Sequence, residues 1–163
     1  MIELQPVTSN SRLREAFGAF PSGVTAVCAL VDGMPHGMAA SSFTSVSLSP
    51  PLVSLCIQRT SSTWPRLRDR PRLGLSVLAE GQDEAALRLS ARTDDRFRDV
   101  PWDAGPGGSV FLSGSSAWLQ CSVHEEVPAG DHLIALLEVH SLRTAPAPPL
   151  VFHGSRFRRL AAV

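Results

Sequence analysis

A small β-barrel with two or three short helices outside it is the fold that the sequence predicts. Three observations predict it. Short apolar runs rich in Val, Leu and Ala recur between Pro and Gly punctuation, at strand length. Helical spacing of apolar residues is confined to a few short segments. The βαβ alternation of a doubly wound sheet is absent, as is a Gly-x-Gly-x-x-Gly turn after a strand. With 163 residues and 44% hydrophobic content, the chain suits one domain spanning 1–163.

The elements follow in order. Ser9 to Phe20 reads as a helix, capped by Ser9 or Asn10, with Leu13, Ala16, Phe17 and Phe20 at helical spacing. Pro21-Ser22-Gly23 stops it. Val24 to Val31 reads as a strand, and Asp32-Gly33 as a hairpin turn. Met34 to Ser47 reads as a strand pair or one long bent strand, and Leu52 to Gln58 as a strand bounded by Pro51. Thr63 to Arg70 reads as a helix ended by Pro71, Leu73 to Leu78 as a strand, and Gln82 to Ser90 as a helix turning Ala85, Ala86 and Leu89 inward. Residues Ala91 to Gly108 read as a long ordered loop anchored by Phe97, Val100 and Trp102. Ser116 to Val127 is a strand, and Pro128-Ala129-Gly130-Asp131 a turn. His132 to Leu142 is a strand expected to be buried on both faces. Pro146 to Pro149 is a stiff linker, and Leu150 to Leu160 a last strand.

Composition narrows the function classes. Fifteen basic residues, all arginine, balance fifteen acidic ones. That argues against nucleic acid or an anionic membrane as a general partner. The apolar runs are too short to span a membrane. Met1-Ile2-Glu3-Leu4-Gln5 has no basic region before an apolar stretch, so a cytoplasmic protein is expected. Cys28, Cys56 and Cys121 sit in apolar or strand-like contexts without metal-ligand spacing, and are expected to be buried reduced thiols. No His-x-x-x-His pair suggests a metal site.

Two segments carry chemistry. Gly37-Met38-Ala39-Ala40-Ser41-Ser42 opens a run of small and hydroxyl residues that ends in Pro50-Pro51. Small side chains let a flat ligand approach the backbone, and hydroxyls supply short hydrogen bonds. A solvent-facing strand is the plainer reading. Arg59-Thr60-Ser61-Ser62-Thr63 offers one cation and four hydroxyls in five positions, a phosphate cradle. Here a simple helix cap is the plainer reading, and the two are compatible. A serine nucleophile is disfavoured, because no Gly-x-Ser-x-Gly elbow is present. His132 follows Gly130-Asp131 at a strand mouth, a common ligand position.

In joint order, these residues resemble the flavin reductase family with the FMN-binding split barrel, the small reductase component of two-component flavin-dependent monooxygenases. The resemblance rests on Phe20-Pro21-Ser22-Gly23-Val24-Thr25, Gly37 to Val53, Arg59 to Thr63, Asp95-Arg96-Phe97 with Val100-Pro101-Trp102, Gly130-Asp131-His132, Pro149 to Phe152, and Arg156 to Leu160. It implies a mainly β, Greek-key-like split barrel. It implies a homodimer that reduces FMN or FAD with NADH or NADPH and hands reduced flavin to a partner monooxygenase. By position, Gly37, Met38, Ala39, Ser41 and Ser42 would line the flavin ring and ribityl chain. Cys56, Arg59, Thr60, Ser61, Ser62 and Thr63 would continue toward phosphate, with Ser90 and Arg92 near the distal end. His132 would act at the nicotinamide side, with Phe152, His153 and Ser155 near the pyridine nucleotide. No metal is implied. Leu137 and Ser155 stand where the family usually has Gly, Ser76 where it has Asn, and Phe157 where it has Tyr. A flavin-binding barrel that has lost or changed nicotinamide-dependent activity is the alternative.

Overall fold

The computed structural model describes residues 1–162. Its elements run α1 (Asn10–Gly18), β1 (Ser22–Gly23), β2 (Thr25–Val31), β3 (Met34–Ala40), β4 (Thr44–Leu48), β5 (Pro51–Gln58), α2 (Trp64–Leu67), β6 (Leu73–Val77), α3 (Asp83–Ser90), β7 (Trp102–Ala104), β8 (Val110–Leu112), β9 (Ala117–Ala129), β10 (His132–Thr144), β11 (Val151–His153) and β12 (Arg156–Arg158). Seven strands form one antiparallel sheet in the order β3-β2-β6-β9-β10-β5-β4. The consecutive strands β3 and β4 therefore lie at its two opposite edges. A three-stranded sheet, β1-β11-β12, and the β7-β8 pair stand beside it.

The large sheet curls around one apolar core. Val27 and Ala29 of β2, Leu73 and Leu75 of β6, Cys121 of β9, Leu137 of β10 and Leu55 of β5 belong to a single buried cluster. Strands from both halves of the sheet can share it only if the sheet bends back on itself. Trp64 and Leu67 of α2 join this cluster. The other face of β2, with Ala26 and Cys28, packs on Ala86 and Leu89 of α3 and on Val110 and Leu112 of β8. β2 is thus buried on both faces along Thr25 to Ala29.

Two turns set the register. Asp32 and Gly33 both have positive φ (52° and 78°), the geometry of a two-residue hairpin whose twist suits the flanking strands. Gly130 (φ 64°) and Asp131 join β9 to β10, where Ala129 pairs with His132. That short turn fixes His132 at the first position of β10, opposite Gln58 of β5.

Several expectations are corrected. The twelve strands exceed the expected number because short paired segments look like loops in sequence. The Thr63–Arg70 helix is one turn only, with Pro65 near its start and Pro71 soon after. The expected loop from Ala91 to Gly108 contains β7, which is held by pairing with β8. Pro128 and Ala129 belong to β9, so the turn is shorter than expected. The last strand breaks into β11 and β12 at Gly154 (φ 56°) and Ser155 (φ 61°). β10 buries only Ala135 and Leu137 fully, because its outward side chains face away from the barrel. α1 has no buried residue, and Phe17 and Phe20 remain exposed. Cys28 and Cys121 are buried, but Cys56 is exposed on the outer face of β5.

Candidate functional site

A cleft of about 720 Å³ opens between the end of β3, the end of β5, the loop before α2 and the segment after α3. Met38, Ala39, Ser41 and Ser42 form one wall, and Cys56 and His132 lie on another. Thr60, Ser61, Ser62 and Thr63 follow along the loop, with Ser90 and Arg92 at the far end. Segments distant in sequence thus meet in one place. Ala40, Gln58, Leu89, Thr93, Asp94 and Arg96 also line it and went unrecognised in the sequence. Gln58 was legible in principle, because strand alternation puts it on the same face as Cys56.

Four hydroxyls in the cleft hold the chain itself. Ser42 Oγ accepts from the Cys56 amide (2.9 Å) and donates to the Cys56 carbonyl (3.2 Å). It pins the link between the two sheet edges onto β5. Ser61 Oγ accepts from the Trp64 amide at 3.1 Å. Thr63 Oγ1 accepts from Arg96 Nη1 at 2.8 Å, and Ser90 Oγ donates to the Ala86 carbonyl at 2.8 Å. Ser41, Thr60 and Ser62 line the cleft and make no side-chain hydrogen bond among the described residues. No carbonyl takes the amides of Ser62 and Thr63. The free donors for an anion are therefore these amides, the Thr60 and Ser62 hydroxyls and the Arg92 guanidinium.

Two expected residues are placed elsewhere. The Arg59 amide donates to the Asp131 carbonyl (3.0 Å), and its Nε donates to the His132 carbonyl (3.4 Å). Arg59 thus ties the end of β5 to the β9–β10 turn and is outside the cleft lining. Gly37 is buried, and its carbonyl accepts from Arg96 Nη1 at 3.0 Å. Arg96 therefore clamps β3 to the loop before α2, and carries with it the segment that follows α3. That loop is held from beneath as well. Trp64 Nε1 donates to Glu126 of β9 at 2.5 Å, and Arg68 pairs with the same carboxylate.

His132 is half-buried, and its Nδ1 lies 2.7 Å from Asp131 Oδ1. The hydrogen bond and charge of His132 hold the Asp131 carboxyl below its ordinary value. As the partner of a carboxylate, Nδ1 carries the proton, which leaves Nε2 free for a ligand. Phe152, His153 and Ser155 are not brought to the cleft within one chain. They lie on the β11–β12 hairpin, where Phe152 packs edge-on against Phe157, with ring centroids 5.5 Å apart. Among the described residues, no group of three or more His, Cys, Asp or Glu side chains could hold a metal ion. A separate hollow of about 390 Å³ at the far end of the β9–β10 hairpin, beside Trp118 and Arg143, includes none of the expected residues.

The profile of the flavin reductase like domain matches residues 17–161. The chain belongs to the flavin reductase family. It is 41% identical over 166 residues to the NADH-dependent FAD reductase of Streptomyces globisporus, covering 98% of this chain and 90% of that protein. It is 36% identical over 147 residues to HsaB, the reductase subunit of a flavin-dependent monooxygenase of Rhodococcus jostii (strain RHA1), covering 90% and 75%. Among solved structures, the Streptomyces globisporus C-1027 NADH:FAD oxidoreductase SgcE6, in complex with NAD and FAD fragments, superposes with a TM-score of 0.91. It shares 40% identity, and the match covers 98% of each chain. The curled sheet described above is thus the split barrel of flavin reductases.

Proposed function

We propose that this flavin reductase transfers hydride from NADH or NADPH to FMN or FAD and supplies reduced flavin to a partner monooxygenase. The observation that carries the reading is the cleft itself. It joins a small-residue wall, a loop of unpaired amide donors and a histidine with a free nitrogen. A family whose members include a named NADH-dependent FAD reductase supplies the reaction class. A relative named as the reductase subunit of a flavin-dependent monooxygenase supports the partner.

The residues present fit such a ligand. Bound there, a flavin supplies hydride-accepting chemistry that no side chain of the cleft possesses. Ala39, Ala40 and Ser41 keep the backbone accessible to a flat ring. The Ser62 and Thr63 amides, with Thr60, Ser62 and Arg92, hold the phosphate. His132, steadied by Asp131, presents Nε2 over the cleft and orients the nicotinamide. Ser42 acts indirectly, by holding the wall against β5. The chain's part is alignment and charge stabilisation, and neither needs a protein nucleophile.

A homodimer belongs to this reading. The outward row of the β5–β10 ladder pairs Gln58 with His132, Cys56 with Ile134, Ser54 with Leu136 and Leu52 with Glu138. It runs from the cleft directly onto half-buried Ile134, Leu136 and Leu52. A second copy covering that apolar row would close the cleft on one side. Phe152, His153 and Ser155 can reach a nicotinamide in this reading only from the second copy. No described helix is long and apolar enough to cross a membrane. A single domain in the cytoplasm, where NADH is available, fits the reading.

Steady-state oxidation of NADH and NADPH with added FMN or FAD tests it. Folded protein that oxidises neither nucleotide with either flavin overturns it. His132→Ala is expected to lower turnover more than flavin affinity.

A further inference from the structure

Beside the main cleft lies a recess of about 90 Å³, roughly three water volumes. It runs back along β3 between α2 and the segment after α3. The recess and the cleft share Ser62, Thr63, Thr93, Asp94 and Arg96, so a ligand can pass from one into the other over the Arg96 guanidinium. Its remaining wall brings His36 and Arg66.

The charge here is unbalanced. The ion pairs of the described residues engage Arg68, Arg88, Arg98, Arg159 and His132, and none engages Arg66, Arg92 or Arg96. Asp94 is the one carboxylate among the recess-lining residues. Arg96 is held in place through Nη1 alone, by Gly37 and Thr63. Its Nη2 and Nε donors have no protein partner. The Arg66 side chain makes no hydrogen bond among the described residues. Burial, and then the Arg66 charge with a smaller push from Arg96, lowers the pKa of His36, while Asp32 and Asp94 oppose the shift. A pocket that holds three arginines, unpaired donors and room for one oxyanion is built for a second phosphate.

We propose that the recess between Arg66 and Arg96 seats the second phosphate of a dinucleotide, so that a diphosphate straddles Arg96 with one phosphate on the Ser62–Thr63 amides and the other against Arg66. This rests on the reductase reading of the cleft. Both FAD and a nicotinamide dinucleotide carry such a diphosphate. Continuity with the Thr60–Thr63 loop makes FAD the expected occupant, and makes the protein select FAD over FMN.

Arg66→Gln tests this. The residue is exposed and its side chain supports nothing in the fold, so the variant leaves the barrel intact. FMN and FAD are titrated into flavin-free wild-type and variant protein by flavin fluorescence, and the KM for NADH is measured with FMN as acceptor. Loss of a charge-assisted phosphate contact lowers the FAD-to-FMN affinity ratio by about tenfold, and Arg66→Lys restores part of it. An unchanged ratio with a tenfold higher KM for NADH assigns the seat to the nicotinamide dinucleotide instead. If neither quantity moves more than about twofold while flavin is still reduced, the proposal falls and the reductase reading stands. If wild-type protein binds no flavin and oxidises no nucleotide, both fall.

Discussion

Gly37→Ala probes how the barrel wall holds the cleft. A Cβ at Gly37 would lie 2.4 Å from Cys28 Sγ, 3.0 Å from Cys28 Cβ and 3.0 Å from the Val27 carbonyl oxygen. The first contact is about 1 Å short of van der Waals separation. Cys28 is fully buried between the two core clusters and has no empty space to turn into. β3 must therefore move outward, at a cost of about 1–3 kcal/mol. For a chain of this size, each kcal/mol lowers Tm by about 2–4 °C. The same movement draws the Gly37 carbonyl from Arg96 and loosens the clamp over the cleft, so flavin affinity falls together with stability. Urea unfolding and flavin titration at one fixed protein concentration measure the two effects. A second variant checks the cause. Cys28→Ala alone costs about 1 kcal/mol by removing a buried atom. In the Gly37→Ala background it removes the worst clash, so the double variant should be no less stable than Gly37→Ala alone. A loss below about 0.5 kcal/mol in the single variant, or simple addition of the two costs, refutes the reasoning.

Thiol titration of the native protein should count one reactive cysteine, Cys56, and bound flavin should slow its reaction. Burial raises the thiol pKa of Cys28 and takes that of Cys121 to about 12, so both react only after unfolding. Asp131→Asn should lower turnover roughly two- to fivefold with little change in flavin affinity, because it removes one exposed charge-assisted bond to His132. Since the Asp131 carboxyl is held below its ordinary value, that bond persists above the ordinary carboxylate range and is lost as pH falls through the lowered value. Turnover against pH, compared with the Asn variant, reads this out. Ser155→Gly should stabilise the protein by up to about 1–2 kcal/mol in urea unfolding, because a side chain at φ 61° is strained.

Much of the fold was legible because its signals are local. Asp32-Gly33 announced a hairpin, and the apolar runs of β2, β5, β6 and β10 announced strands. β7, β8 and the split of the last strand were not legible. Each of these strands is three residues long and is defined by its partner rather than by its own pattern. The cleft residues were largely legible as small and hydroxyl side chains, but their tasks were not. Nothing in the sequence distinguishes Ser42, spent on the Cys56 backbone, from Ser62, which is free. Arg59 and Arg96 exchanged expected roles for the same reason. The unusual Leu137 was read as bulk toward an interface or ligand. The register shows it inside the barrel, opposite Val53 and fully buried. It changes the core, whereas its neighbours Ile134 and Leu136 face outward.

The chain crosses from one edge of the seven-stranded sheet to the other through Ser41, Ser42 and Phe43 alone. That crossing is a seam, closed in part by the two hydrogen bonds of one serine hydroxyl. A ligand in the cleft touches both banks of the seam at once and acts as a wedge-shaped latch. The empty protein should open first at this line, and occupancy should register as slowed amide exchange at Cys56 and along β3. Binding and the mechanical closure of the barrel are then the same event seen from two sides.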